Sequence, residues 1–152
     1  MFESAELGHK VEKTVYDAEV PPLREALLDA QFDLRENGKF PVLIIVGGVE
    51  GAGKGETIAT LNEWLDPRFV QTVGFDAPSD EELERPEMFR FWRALPPKGK
   101  IGVFFGSWYS RPIVQRVFKE IDEPELERHL ERIVKLERML AAENVLILKF
   151  WF

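Results

Sequence analysis

The sequence predicts a three-layer α/β sandwich built on a mostly parallel sheet. Short apolar runs at Val42–Val46, Ile101–Phe105 and Val145–Leu148 alternate with segments of helical periodicity. A glycine-rich turn, Gly47–Gly55, joins the first apolar run directly to a helical segment. Such runs suit parallel strands covered on both faces, because helices on either side bury every residue of the strand.

Each element has its own local reason. Pro21–Asn37 reads as a helix: proline stands at its start, Leu23, Leu27, Ala30 and Leu34 share a face, and Gly38 follows its end. Val42–Val46 is the first strand. Lys54–Leu65 is the helix leaving the glycine turn, and Pro67 closes it. Val70–Phe75 is a second strand. Ser79 followed by Glu82 matches a capping box, opening a helix expected to run to about Ala94. Pro96-Pro97 breaks the chain, Lys98–Lys100 turns it, and Ile101–Phe105 is the third strand. Ile113–Ile121 is helical. Glu125–Ala142 is an amphipathic helix with Leu126, Leu130, Ile133, Leu136 and Leu140 on one stripe and Glu131 and Lys135 as an i,i+4 pair. Val145–Leu148 is a further buried strand, and the whole of residues 1–152 reads as a single domain without linker or repeat.

Composition excludes several classes. The absence of cysteine rules out disulfides and thiolate metal sites. Two histidines, His9 and His129, are too few for a histidine-rich zinc centre. No apolar run reaches the length of a membrane span, and Met1–Glu6 lacks the features of a signal peptide, so a cytoplasmic location and no membrane partner are expected. The net charge of −7, taken alone, disfavours a polyanionic partner, and no nucleic-acid partner is expected. Yet the segment 85–119 holds eight basic residues against one acid, a local +7 that leaves −14 on the rest of the chain. A basic segment in an acidic chain is either a local anion site or a solvated run of Lys and Arg.

The chemistry lies in Gly48-Val49-Glu50-Gly51-Ala52-Gly53-Lys54-Gly55, a GxxxxGKG loop between a strand and a helix. That is the context a phosphate-binding P-loop needs. Gly48, Gly51 and Gly53 let the backbone curl so that successive N–H groups face phosphate oxygens. The helix N-terminus adds partial positive charge, and Lys54 puts a full charge on the outer phosphates. Gly55 stands where a magnesium-binding Ser or Thr usually follows the lysine; Thr57 is a poorly placed substitute. A P-loop enzyme also needs an acid at the end of a neighbouring strand. The strand Ile101–Phe105 ends in Phe105-Gly106-Ser107, without a carboxylate.

The loop, with Arg85-Pro86, Phe91-Trp92-Arg93, Leu95-Pro96-Pro97, Gly106–Arg111 and Leu148–Phe152, resembles the type-2 polyphosphate kinase family over about residues 20–152. Met1–Gly8 resembles the start of its two-module class, the polyphosphate:AMP phosphotransferases. The resemblance implies a P-loop NTPase-like fold and phosphoryl transfer from inorganic polyphosphate to AMP, giving ADP, with magnesium as cofactor. It implies a homo-oligomer and a second fused polyphosphate kinase module. It also implies a helical lid after the strand ending in Trp151-Phe152, so the lid and the part beyond it are expected to be missing. By position, Gly48, Gly51, Gly53, Lys54 and Gly55 would hold phosphate, with Arg85, Arg93 and Arg111 facing the phosphate channel. Lys54, Glu50 and Arg111 would be catalytic, with Glu50 the magnesium residue. The alternative for the arginines is surface salt bridges with nearby acids.

Two departures qualify the expectation. The family's loop usually carries Asp where this chain has Glu50, and its Asp-Arg-Ser-Trp-Tyr run is here Phe105-Gly106-Ser107-Trp108-Tyr109. An aromatic ring neither binds magnesium nor accepts a proton, and losing such a group costs on the order of 10²–10³ in rate. The module is therefore expected to keep the phosphate cradle and lose most catalytic power. The rival is an active kinase in which Glu50 alone positions magnesium. A generic nucleoside-monophosphate kinase is disfavoured by Gly55 and by Trp108–Arg111. Trp108 is expected in the core, His129 in solvent, and Asp80–Glu84 as charge bias at a helix start.

Overall fold

The computed structural model describes residues 10–152. His9 and the Met1–Gly8 segment lie outside the described residues. The elements run α1 (Lys13–Asn37), β1 (Val42–Gly47), α2 (Lys54–Trp64), β2 (Val70–Gly74), α3 (Asp80–Leu83) and α4 (Phe89–Ala94). They continue with β3 (Ile101–Phe105), α5 (Ser110–Val117), α6 (Glu123–Ala142) and β4 (Leu146–Trp151). The four strands form one sheet in the order β2-β3-β1-β4. All pairings are parallel, with Val42 level with both Ile101 and Leu146, and Val70 level with Ile101. The strands therefore finish along one edge, where parallel sheets gather their ligand-binding loops.

The two sheet faces carry separate cores. Val42, Ile44 and Val46 pack with Ile101, Val103, Leu34 of α1, and Ile58 and Leu65 of α2 and its end. The alternate residues Leu43 and Ile45 pack with Phe104, Phe91, Trp108 and the α6 residues Ile133, Leu136 and Leu140. Period-two alternation on β1 thus feeds two apolar layers, and the expected three-layer sandwich follows.

Several local expectations need correction. The last strand, expected to be buried, is exposed at the end of the sheet: Leu146, Leu148, Phe150 and Trp151 of β4 are all exposed. The first helix starts at Lys13, with Pro21 and Pro22 inside it. Its early residues carry no stripe toward the core, since Val15 and Tyr16 are exposed, and so they lack the periodicity that marks a helix in sequence. Leu23 is exposed, and Gln31 takes the buried position beside Leu34. Gln31 is satisfied by Asp66, donating to its carbonyl at 3.1 Å and accepting from its N–H at 2.7 Å. The helix after Ser79 keeps its capping box but splits into α3 and α4 at Pro86, which disfavours helical backbone at Arg85. The fifth helix begins earlier, at Ser110, and ends before Lys119, which has a φ of 60°.

On α6, Leu130 lies outside the buried stripe that Ile133, Leu136 and Leu140 form. Glu131 and Lys135 form no ion pair among the described residues. His129 is not in solvent. It is largely buried, with Nδ1 3.6 Å from Glu87.

Candidate phosphate-binding site

β1 delivers the chain to Gly47 and α2 takes it up at Lys54. Between them Gly48 holds a φ of 128° and Gly53 a φ of 87°. A Cβ on Gly48 would lie 2.1 Å from the Phe152 carbonyl oxygen. The close approach is held by two bonds: Phe152 N–H donates to the Gly47 carbonyl at 3.1 Å, and Val49 N–H donates to the Phe152 carbonyl at 3.0 Å. Gly53 caps α2 in the left-handed region, which only glycine adopts without strain. The turn leaves the positive end of α2 open. Lys54 reaches back across the loop and donates to the Val49 carbonyl. The loop has the shape and polarity of an anion cradle.

Beside it lies a cleft of about 160 Å³ at the carboxyl edge of the sheet. Val46, Gly47 and Gly48 form one wall, and Lys54 closes the side nearest α2. Gly74, Phe75 and Asp76 come from the segment after β2; Phe105, Gly106 and Ser110 come from the end of β3 and the start of α5. Backbone bonds stitch these walls together. Phe75 N–H donates to the Phe105 carbonyl at 2.9 Å, and Gly106 N–H donates to the Val46 carbonyl at 3.2 Å.

The expected site residues are not all gathered here. Gly48 and Lys54 line the cleft, while Gly51, Gly53, Gly55 and Glu50 belong to the loop without lining it. Arg111 follows the lining residue Ser110 and is exposed. Arg93 is exposed on α4, 5.8 Å above the Phe89 ring. Arg85 is paired with Glu81 at 3.0 Å and lies 4.7 Å above the Phe89 ring.

Asp76 was not singled out from the sequence. It stands two residues past β2, on the strand-end edge, and Arg90 ties the segment down by donating to the Asp76 carbonyl at 2.9 Å. The readable signal was its position after a parallel strand. Only the strand order, with β3 lying between β2 and β1, brings it to the cleft.

The chemistry of the donor set bears on a divalent metal. Mg²⁺ is held by one or two carboxylates with phosphate oxygens and water in octahedral geometry. Asp76 is the one carboxylate residue among the described residues lining the cleft. The Thr57 hydroxyl is turned into its own helix, donating to the Gly53 carbonyl at 3.0 Å. The Ser110 hydroxyl accepts from Ser107 N–H at 3.0 Å. Among the described residues no three acidic or histidine side chains converge. A phosphate-bound Mg²⁺ needs as little as one carboxylate, and Asp76 is the lining residue that would hold it.

The β3–α5 turn is braced from behind. Trp108 is 2% exposed and meets Phe91 and Phe104 edge-on, as expected of a core residue. Its indole N–H donates to Glu137 Oε1 at 3.2 Å, and the Tyr109 hydroxyl donates to the same oxygen at 2.7 Å. Lys149 closes the group by donating to Glu137 Oε2 at 2.8 Å. Burial and the bond to Glu137 push the Tyr109 hydroxyl pKa up. For Lys149, burial pulls the other way, but its bonds to Glu137 and Tyr109 outweigh it and raise the pKa.

Known proteins place these features. The family described as polyphosphate kinase 2 (PPK2) matches residues 10–152. The polyphosphate:AMP phosphotransferase of Pseudomonas aeruginosa is 54% identical over all of this chain, which covers 31% of that protein. The same-named protein of Pseudomonas syringae pv. tomato is 48% identical, again over the whole chain and 30% of its own length. The chain thus spans about a third of the length of these two relatives. Among solved structures, one from Pseudomonas aeruginosa PA01 superposes with a TM-score of 0.96 at 54% identity, covering 100% of this chain and 33% of that one. Polyphosphate kinase 2 from Arthrobacter aurescens TC1 gives 0.88 at 29% identity, covering 95% and 53%. The glycine loop, the parallel sheet that carries it and these likenesses agree: the chain belongs to the polyphosphate kinase 2 family.

Proposed function

We propose that this chain is a module of a polyphosphate:AMP phosphotransferase that holds polyphosphate and has lost most of its own catalytic power. The observation that carries this reading is the pairing of an intact Lys54 cradle with Phe105 at the end of β3, in one cleft. Gly48, Gly51, Gly53 and Gly55 shape the loop, and Lys54 with the first amides of α2 takes the phosphate. Arg111, next to the cleft residue Ser110, and Arg93 are exposed cations that would meet further phosphates of the polymer, as would Arg85 on release from Glu81. A second, fused module would carry out the transfer to AMP, giving ADP, with magnesium supplied there. Association of copies would bring several cradles onto one polymer, raising its effective concentration.

Calorimetric titration of the chain with polyphosphate tests the reading. Binding is expected, with Lys54→Ala weakening it by about tenfold or more, the loss of a charge-assisted contact. No binding, or equal binding by the variant, contradicts it.

A second reading is an active kinase module in which Glu50 and magnesium serve catalysis. Asp76 favours it, since it brings one carboxylate to the cleft. Formation of ADP from AMP and polyphosphate by this chain, abolished in Glu50→Gln, would establish that reading and overturn the first.

A further inference from the structure

We infer that the outer face of α6 docks on the same face of a second copy of this chain, the two helices running antiparallel about a two-fold axis. The inference gives a surface to the association of copies proposed above; it rests on that part of the reading and not on the phosphate chemistry.

Only one side of α6 meets the core, through Ile133, Leu136 and Leu140. Glu127, Leu130, Glu131, Val134, Lys135 and Arg138 border a shallow groove on the other side. From Glu127 the spacings are three, four, seven, eight and eleven residues, which place all six on one helix face. Leu130 and Val134 are apolar yet 36% and 42% exposed there, on the side of a helix that is ordinarily polar. Among the described residues, none of the four charged groups has an ion-pair partner, although Glu131 and Lys135 are spaced for one.

The order of these residues is self-complementary. The acids Glu127 and Glu131 come first and the bases Lys135 and Arg138 follow. Turning a second copy end for end sets Glu127 against its Arg138, Glu131 against its Lys135, and Leu130 against its Val134. All three pairings centre on the Arg132–Ile133 step, so a single two-fold axis makes them together, each one twice. The flanks also agree: helical rotation puts Glu131 and Lys135 to one side of the face and Leu130 and Val134 to the other. A symmetric parallel pair would set acid against acid and base against base. The apolar pairs supply contact, and the charges fix orientation. Exposed ion pairs add little each, so the dimer is weak and salt-sensitive.

The test is sedimentation velocity of the chain without polyphosphate, from micromolar to near-millimolar concentration. A monomer–dimer equilibrium is expected. One variant carries Glu127→Lys and Glu131→Lys; a second carries Lys135→Glu and Arg138→Glu. Alone, each sets like charges together at both charged pairings and should dimerise about tenfold more weakly or worse. An equimolar mixture restores every charged pairing and should dimerise as tightly as the parent chain. Mixing would not cure a merely structural defect, and circular dichroism verifies that each variant is folded.

Dimerisation that both variants leave unchanged, or that mixing fails to restore, overturns the inference and moves association to another surface. A parent chain that stays monomeric throughout overturns the inference and the association of copies with it. Either result leaves the Lys54 cradle standing, because none of the six residues lines the cleft and calorimetric titration tests it separately.

Discussion

Replacing Glu137 by alanine removes one carboxylate that three donors share. Trp108 Nε1–H, at 3.2 Å, belongs to a residue only 2% exposed, so its lost partner is not replaced by water. An unsatisfied buried donor costs about 1–3 kcal/mol. The Tyr109 hydroxyl is half-buried and recovers part of its bond from solvent. Lys149 is half exposed, and an ion pair of that kind is worth at most about 1 kcal/mol. The expected loss is therefore about 2–3 kcal/mol, a fall in melting temperature of roughly 4–12 °C for a chain of this size. Glu137→Gln keeps an oxygen acceptor for Trp108 and Tyr109 and forfeits only the charge, so it should cost about 1 kcal/mol or less. Urea unfolding followed by tryptophan fluorescence and by far-ultraviolet circular dichroism measures both. A loss below about 0.5 kcal/mol for the alanine variant, or equal losses for the two variants, would refute the claim that this carboxylate braces the β3–α5 turn.

Three further outcomes follow from the same geometry. Gly48→Ala should destabilise the chain by at least about 1–3 kcal/mol, from its positive φ and the backbone of Phe152 beside it, and denaturant unfolding would reveal the loss. The raised pKa values of Tyr109 and Lys149 mean that their stabilisation is complete below their ordinary values of 10.0 and 10.5, and fades as pH climbs through the folded-state values; melting temperatures across that alkaline range should fall less steeply in Glu137→Gln. Asp66 behaves oppositely. The Arg68 side chain, and then its backbone N–H, hold the Asp66 carboxyl down to about 2, so stability present above 3.8 is lost as pH falls toward that value, and Asp66→Asn should flatten this acid limb in a urea-midpoint series.

Much of the fold was legible because parallel strands buried on both faces must be apolar throughout. Val42–Val46 and Ile101–Phe105 matched β1 and β3 closely for that reason. The glycine loop was legible because only glycine serves at Gly48 and Gly53. The exposed half of α1 was not, since a helix that buries nothing leaves no periodic trace. The split at Pro86 is hard to read because the capping box at Ser79 and the apolar residues of α4 are each helical signals, and a proline between them only biases the preceding residue away from helix. Asp76 escaped because strand order is a long-range property. The sequence order of β2 and β3 does not reveal that β3 sits between β2 and β1, or which loops then share a wall. The place of His129 is not legible because its charged neighbours in sequence say nothing of Glu87, 42 positions earlier, against which it packs.

Phosphorus NMR of polyphosphate mixed with this chain, AMP and Mg²⁺ tests the central claim most directly, because one spectrum reads both binding and transfer. Broadened polyphosphate resonances are expected with the parent chain, sharp ones with Lys54→Ala, and no growing ADP signal with either. ADP resonances that accumulate with the parent chain, or polyphosphate lines that stay sharp, would contradict it.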